Sequence, residues 1–293
     1  MTGISGGAIN AGAMSVWAKE DGLAMSEWLS TEWNDNLRTP DVWKMWPGGV
    51  VAGLTVKQSL VDSTPLVEFI RSILSVFTEG VKRYSMVGTV NANNGFYQRF
   101  HLDEIPKDQL MEVGPKQIVS SASLPGLFLP TILDGGVYVD GGTAMGLDAI
   151  SAVEKCLELV DDESQITLDI ILLDRFATTP GEEDDGDTIA NILRLHEMKS
   201  YYKGLENVIT TMLSHPNVNY RYILEPTGKY PKLWNLLNFS QATTWPLQEM
   251  GMKDAKAAME AGEGASFRKF HDWIATRDQH GQSISDFVES FTQ

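Results

Sequence analysis

The sequence opens with a serine set among glycines, in the stretch Gly3-Ile4-Ser5-Gly6-Gly7. The residues that follow, up to position 20, are small and apolar at first and are typical of a helix. A G-x-S-x-G pattern at the junction of a strand and a helix forms a nucleophile elbow, a sharp turn that exposes the serine hydroxyl. The stretch therefore predicts either such an elbow at Ser5 or an ordinary glycine-rich loop.

The composition limits the classes of partner. The chain has 293 residues, of which 43% are hydrophobic, so it can bury a substantial core. Its formal net charge of −16 argues against nucleic acid, since phosphate contacts need clustered Lys and Arg. The same charge argues against broad electrostatic attraction to anionic membranes but leaves apolar contact with lipid open.

Cys156 is the single cysteine, so neither an internal disulfide nor a cysteine zinc cluster can form. It falls in an apolar-periodic run over 149–160 and is predicted to be a small buried hydrophobic residue. The sequence shows no run of 18 apolar residues and no signal peptide. We therefore expect a cytoplasmic or peripheral-membrane location.

Strand and helix patterns alternate along the chain, which favours a layered α/β fold. The pattern over 166–173 is the strongest signal for a buried strand. A capping residue and Pro65 precede an apolar stripe at helical spacing, which predicts a helix over 66–74. Further strands are predicted at 84–91, 96–101, 137–139 and 219–224, and further helices at 25–36, 115–122, 147–159 and after 245.

A second motif lies far along the chain. The stretch Ser121–Pro130 precedes a short apolar strand, which ends in Asp140-Gly141-Gly142. Together with the opening stretch, this order and spacing resembles the patatin-like phospholipase family, and the resemblance covers residues 2–175.

The resemblance implies an α/β fold. It is a three-layer sandwich with a mostly parallel central sheet and helices on both faces. It also implies a catalytic domain over 1–175, and we expect 176–293 to be a helical continuation of that domain.

The resemblance also implies roles for particular residues. Ser5 would be the nucleophile and Asp140 the general base, in a Ser-Asp dyad that uses no histidine, no cofactor and no metal. The N–H of Gly6 would donate to the oxyanion, aided by the start of the following helix. Burial at the end of a strand would raise the proton affinity of Asp140. Further glycines are expected where the backbone is close-packed or strained, namely Gly3, Gly7, Gly141 and Gly142, together with Gly6.

Two alternatives to this dyad stay open. Asp134 also begins an Asp-Gly-Gly sequence, but it is predicted to lie in the hairpin turn before the strand that ends at Asp140. Either aspartate could instead be a turn residue that caps its own backbone. A Ser-Asp-His triad is the other catalytic interpretation. It would use one of five histidines, none with a distinctive flanking motif: His101, His196, His215, His271 and His280.

Two departures from the family pattern matter for function. The run 143–147 lacks an asparagine and a proline that are common after the aspartate, and no first strand or glycine-rich oxyanion loop precedes Ser5. The resemblance therefore implies an N-terminally incomplete domain. One hypothesis is a lipid acyl hydrolase, of phospholipase A or acyl-ester type, that forms an acyl-enzyme. The other is a catalytically impaired domain that binds lipid or regulates a partner, since losing an oxyanion donor costs roughly 10²–10³ in rate.

A lipid or acyl ester is the expected partner, with transient contact to a membrane surface and no nucleic acid. The Trp-rich stretch Trp43–Leu54 is predicted to be an irregular segment, either a lipid-facing flap or a loop folded over the core. The acidic run Glu182–Asp187 is predicted to be a solvated loop, with a calcium site as the alternative.

Overall fold

The structure is a computed structural model that describes residues 1–77, 79–173, 188–228 and 237–278. The acidic run Glu182–Asp187, with both of its interpretations, lies outside the described residues. The strands are β1 (Thr2–Gly3), β2 (Met86–Asn91), β3 (Tyr97–His101), β4 (Thr131–Leu133), β5 (Gly136–Asp140), β6 (Thr167–Ile171) and β7 (Asn219–Leu224).

The helices follow and separate these strands. They are α1 (Gly6–Ser15), α2 (Gly22–Thr31), α3 (Thr39–Val42), α4 (Gly49–Thr55), α5 (Thr64–Ser75), α6 (Leu110–Ser120), α7 (Ala149–Leu157), α8 (Thr188–Ser214), α9 (Gln241–Ala261) and α10 (Ala265–Asp278). Within the described ranges, no helix combines the length and the apolar character needed to cross a bilayer.

Strand β2 is the centre of the main sheet. Strand β3 runs antiparallel along one edge of β2. The other edge is shared by β1, which is parallel to β2, and β5, which is antiparallel. Gly3 is in register with Val87 and Asp140 with Thr89, so the carboxyl ends of β1 and β5 meet beside Gly88. Two segments that are far apart in sequence are thus brought to one point of the sheet.

The α/β class is confirmed, but this sheet is mixed rather than mostly parallel. The β1–β2 pairing is parallel, whereas the β2–β3, β2–β5 and β4–β5 pairings are antiparallel. The reason is that two of these pairs are hairpins, closed by the short connections 92–96 and 134–135. A short connection can join only antiparallel neighbours.

Helices cover both faces of the main sheet. On β2 the Thr89 hydroxyl oxygen lies 3.3 Å from the carbonyl oxygen of Ser120 in α6. On β1 the Thr2 hydroxyl donates to the carbonyl of Asp148, just before α7, at 2.9 Å. Thr2 is in register with Met86, so these two side chains point to the same face of the sheet. Thr89 is three residues beyond Met86 on β2, and side chains alternate along a strand, so Thr2 and Thr89 point to opposite faces. Helices α1 and α6 pack on the first face and α7 on the second.

Two hydrophobic clusters hold the layers together. The larger cluster joins α1, α5 and α6 to the main sheet, and another joins α7, α8 and α10 to a parallel pair formed by β6 and β7. The strand predicted over 166–173 is β6, but its side chains alternate between exposed and buried, and Ile171 is 72% exposed. Among the described strands β6 pairs with β7 alone, and this small sheet is buried on one face only.

Cys156 lies on α7 and is exposed, so the prediction of a buried hydrophobic residue is wrong. Helix α7 packs against the second cluster through Ala149, Val153 and Leu157. These positions recur every four residues and form one stripe, and Cys156 lies beside that stripe.

Candidate active site

Ser5 occupies a strained turn between β1 and α1. Its backbone has φ 56° and ψ −125°, a region that residues other than glycine rarely adopt. Gly3 permits the turn, because a Cβ on it would lie 2.3 Å from the carbonyl oxygen of Gly7. Strain of this kind costs on the order of 1–3 kcal/mol and is concentrated at functional sites. The strand, turn and helix expected around Ser5 are all present, although β1 has only two residues.

The end of α6 anchors this turn. The backbone N–H of Ser5 donates to both the carbonyl oxygen and the hydroxyl oxygen of Ser121, each at 3.1 Å. The Ser121 hydroxyl in turn donates to the carbonyl oxygen of Gly88. A Cβ on Gly141 would approach that same oxygen to 2.2 Å, so Gly141 has no room for a side chain. Ser121 belongs to the second sequence motif, but its contact with Ser5 was not predictable from that motif.

Asp140 ends β5 and is 1% exposed. Its backbone N–H donates to the carbonyl of Ser123 at 3.0 Å, and its Oδ1 accepts the N–H of Gly142 at 2.7 Å. Its Oδ2 is buried and has no hydrogen-bond partner among the described residues. Burial raises the pKa of Asp140 to about 6, and the Ser5 hydroxyl and the Gly142 amide oppose that rise. The Asp140 carboxyl is therefore more basic than an exposed aspartate, and it interacts with the Ser5 hydroxyl.

Asp134 lies in the turn between β4 and β5, as predicted. Both Asp134 (φ 50°) and Gly135 (φ 77°) have positive φ, as in the two-residue turn whose twist matches an antiparallel hairpin. Asp134 is exposed and is separated from Asp140 by the length of β5, about 16 Å. It is therefore a turn residue and is remote from Ser5.

The N–H of Gly6 begins α1 and donates no hydrogen bond within the described part of the chain. It is one of the unpaired amides at a helix N-terminus, which carry partial positive charge. Gly6 and Gly7 have open space where a Cβ would lie, and neither has a positive φ. The expectation of a close-packed or strained backbone at these two glycines is wrong, because the strain falls on Ser5 instead.

A cavity of about 220 Å³ opens beside Ser5. Ser5, Ile9 and Ala13 line it at a spacing of four residues, so the cavity follows one stripe of α1. Eight residues of helix rise about 12 Å, which is the length of that stripe. Among the described residues, Glu32 is the one charged side chain in a lining that is otherwise almost entirely apolar.

More than half of the chain, residues 1–153, matches a known protein family described as Patatin-like phospholipase. The chain belongs to the patatin-like phospholipase family. No curated protein gives a significant match. Family membership indicates a hydrolase that acts on lipids.

In this patatin-like domain, a polar network centred on the buried Asp148 carboxylate lies behind the meeting point of β1 and β5. Oδ2 of Asp148 accepts the Tyr97 hydroxyl at 3.1 Å and Nε of Arg99 at 2.8 Å, while Oδ1 accepts the N–H of Ser151 at 3.2 Å. A Cβ on Gly88 would lie 1.8 Å from the Tyr97 hydroxyl, so the network is packed against that position. Sequence reasoning missed it, because an aspartate before a helix indicates only an N-cap.

The histidine side chains that the structure describes lie away from the cavity. Nδ1 of His101 is 2.9 Å from the Tyr84 hydroxyl, and Nδ1 of His215 is 2.8 Å from Oε1 of Glu163. His271 is exposed on α10. The other two candidate histidines for a triad lie outside the described side chains: His196 and His280.

Proposed function

We propose that this domain hydrolyses carboxylic esters of lipids, as a phospholipase A or acyl ester hydrolase, through a dyad of Ser5 and Asp140. One observation carries the proposal: β1 and β5 end beside Gly88, so the strained serine turn meets a buried carboxylate oxygen that has no other described partner. Family membership supports a lipid substrate. The apolar cavity beside Ser5 supports an acyl chain as the bound group.

In the first half of the reaction, Oγ of Ser5 attacks the ester carbonyl carbon while Oδ2 of Asp140 accepts the hydroxyl proton. The carbonyl oxygen becomes an oxyanion, and the N–H of Gly6 at the start of α1 stabilises it. The protonated Asp140 then donates to the departing alcohol oxygen as the carbon–oxygen bond breaks. An acyl ester of Ser5 remains.

In the second half of the reaction, water hydrolyses the acyl ester of Ser5. Asp140, again a carboxylate, accepts a proton from the water molecule that attacks the acyl carbonyl. The bond to Oγ of Ser5 then breaks, Ser5 recovers the proton from Asp140, and a fatty acid leaves. A pKa of about 6 suits this role, because most of the Asp140 carboxyl is ionised at pH 7 and is more basic than an exposed aspartate.

Covalent labelling of the full chain tests the nucleophile. The protein is expected to hydrolyse p-nitrophenyl esters, and an alkyl fluorophosphonate, which traps activated serines, is expected to stop turnover by modifying Ser5. Mass spectrometry of the tryptic peptide over residues 1–19 would locate the adduct. Adduct formation at a different serine, or turnover that survives complete modification of Ser5, would contradict the dyad.

The same experiment distinguishes the alternative function. A catalytically impaired domain that binds lipid or regulates a partner would bind a fluorescent fatty acid in the cavity but would show neither turnover nor labelling. Binding without labelling would therefore favour that alternative.

Ala13 is expected to set the length of the acyl chain. An extended chain advances about 1.2 Å per bond, so about ten carbons would reach Ala13 from Ser5. Ala13→Leu would fill the far end of the cavity that Ala13 lines. We expect kcat/KM for a decanoyl ester to fall by roughly tenfold or more, because methylene groups would be excluded, while the value for a butanoyl ester is unchanged.

A matched variant controls for substitution at this buried position. Ala13→Ser changes the side-chain volume little, and it should leave the preference between the two esters unaltered. Thermal melting of each variant would show whether its fold is intact. An equal loss of kcat/KM on both esters in a folded Ala13→Leu protein would argue against a role for Ala13 in chain-length selection.

A further inference from the structure

Residues 44–62 form a closed loop, the 44–62 loop, which contains α4. Its ends are joined by two backbone hydrogen bonds of 2.8 Å, from the Lys44 N–H to the Asp62 carbonyl and from the Asp62 N–H to the Lys44 carbonyl. Most of the Trp-rich stretch predicted to be an irregular segment belongs to this loop, and that prediction missed α4. A surface loop that is closed at its base is held in a defined position, and such loops are frequently functional.

The base of the loop is joined to the wall of the cavity. The N–H of Leu60 donates to the carbonyl of Gly126 at 2.8 Å, and the N–H of Val61 donates to the carbonyl of Leu127 at 3.2 Å. Leu60 and Val61 are buried in one cluster with Leu127 and Leu237, and the latter two line the cavity. The loop is therefore continuous with the proposed acyl site.

Helix α4 has one side against this base and the other in solvent. Gly53 is buried, and a Cβ on it would lie 2.4 Å from the carbonyl oxygen of Leu60. Val50 (38% exposed), Val51 (71%) and Leu54 (65%) are exposed on α4, and Met45 (48%) and Val56 (78%) are exposed elsewhere in the loop. A group of exposed apolar residues is typical of an interaction site.

The charge of the loop is opposite to that of the whole chain. The 44–62 loop contains two lysines, Lys44 and Lys57, and one acidic residue, Asp62 at its base, so its formal charge is +1 in a chain of net charge −16. Both lysines are exposed, and Nζ of Lys57 lies 4.8 Å from the centre of the Trp46 ring. Apolar side chains accompanied by lysine and tryptophan suit a phospholipid surface, where the apolar groups enter the interface and the ammonium groups meet lipid phosphates.

We propose that the 44–62 loop docks on the surface of a phospholipid bilayer. The outer side of α4 would enter the interface, and the base of the loop would hold the cavity next to the lipid. An acyl chain could then pass from the bilayer to Ser5 with little exposure to water. This inference depends on the proposed function in one respect, namely that the substrate is a lipid.

Vesicle binding tests the docking surface in the full chain. The wild-type protein is expected to float with vesicles of phosphatidylcholine and phosphatidylglycerol. Leu54→Asp is expected to weaken this binding about tenfold, because it removes an exposed leucine that would enter the interface. Leu159→Asp is the matched control, because Leu159 is 82% exposed just after α7, which packs on the other face of the sheet. It should bind vesicles like the wild type. Both variants should hydrolyse a water-soluble butanoyl ester at the wild-type rate.

Three results would overturn the docking surface. The first is a wild-type protein that does not bind vesicles, and the second is equal binding by the wild type and Leu54→Asp. The third is self-association in light scattering that Leu54→Asp abolishes without a change in vesicle binding, since the patch would then join two copies of the chain. A different result would separate the two proposals. If the wild type binds vesicles and Leu54→Asp binds them more weakly, but the wild type hydrolyses no ester, the proposed function is rejected and the docking surface is supported.

Discussion

Ser5→Ala and Asp140→Asn are each expected to lower kcat/KM for ester hydrolysis by about 10³-fold or more. The first variant removes the attacking oxygen, and the second removes the base that accepts its proton. Initial rates with a butanoyl ester at pH 8 would measure the loss. Asp134→Asn is the matched control, because it makes the same chemical change in the exposed hairpin turn. It should retain the wild-type rate.

The double variant sharpens this test. Two groups that act as one unit give losses that are not additive, so Ser5→Ala combined with Asp140→Asn should be no slower than either single variant. A rate within tenfold of the wild type in either single variant would contradict the dyad, and so would a further large loss in the double variant.

The same dyad predicts the pH dependence of the rate. Burial raises the pKa of Asp140 to about 6, and below that pH the carboxyl carries a proton and cannot accept one from Ser5. We expect kcat/KM to rise with pH and to level off above about 6. A profile that is flat between pH 5 and 8 would contradict the assignment of Asp140 as the base.

Asp140→Asn is also expected to stabilise the fold at neutral pH. The pKa of Asp140 in the folded protein, about 6, lies above the ordinary value of 3.8, so the folded state binds this proton more tightly than the unfolded state. The stability contributed by the protonated carboxyl is complete below about pH 4 and is lost as pH rises to about 6, a loss of about 3 kcal/mol. Urea unfolding should therefore show a gain from Asp140→Asn at pH 8 that is largely absent at pH 4.

Asp148→Ala is expected to lower the free energy of unfolding by about 2–4 kcal/mol. It leaves the partly buried Tyr97 hydroxyl without its acceptor and removes the cap of α7 at Ser151. Burial, followed by the nearby Asp148 carboxylate, raises the pKa of Tyr97 well above its usual range, so this hydroxyl remains a donor that needs an acceptor. The Arg99 side chain is 40% exposed, and water compensates in part for the loss of its ion pair.

Urea unfolding at pH 7, followed by tryptophan fluorescence, would measure this loss. Asp162→Ala is the matched control, because Asp162 also caps a helical turn through the N–H of Ser164 but is exposed. Its removal should lower the free energy of unfolding by about 1 kcal/mol or less. Equal losses in the two variants would contradict the role that we assign to the buried network.

Sequence reasoning succeeded where a feature depends on neighbouring residues. The hairpin turn at Asp134 follows from an Asp-Gly pair between extended segments, and α1 follows from the small apolar residues after Ser5. It failed where a feature depends on a distant partner. Besides its two hairpins, the main sheet is mixed because β5 pairs with β2 in the antiparallel direction. Strand β6 is half exposed because its small sheet is packed on one face only. Cys156 is exposed because Val153 and Leu157 take the packed positions of α7.

By itself, the sequence determined the glycine-flanked turn at Ser5, the hairpin before Asp140 and the family that both motifs indicate, because each is a property of a few adjacent residues. Only the tertiary structure decided that Asp140 has an unpaired buried oxygen, that Ser121 anchors the Ser5 turn, and that the 44–62 loop adjoins the cavity. The contact between Ser5 and Ser121 joins residues 116 positions apart. Register and burial arise when such segments pair, and burial is the cause of the raised pKa of Asp140.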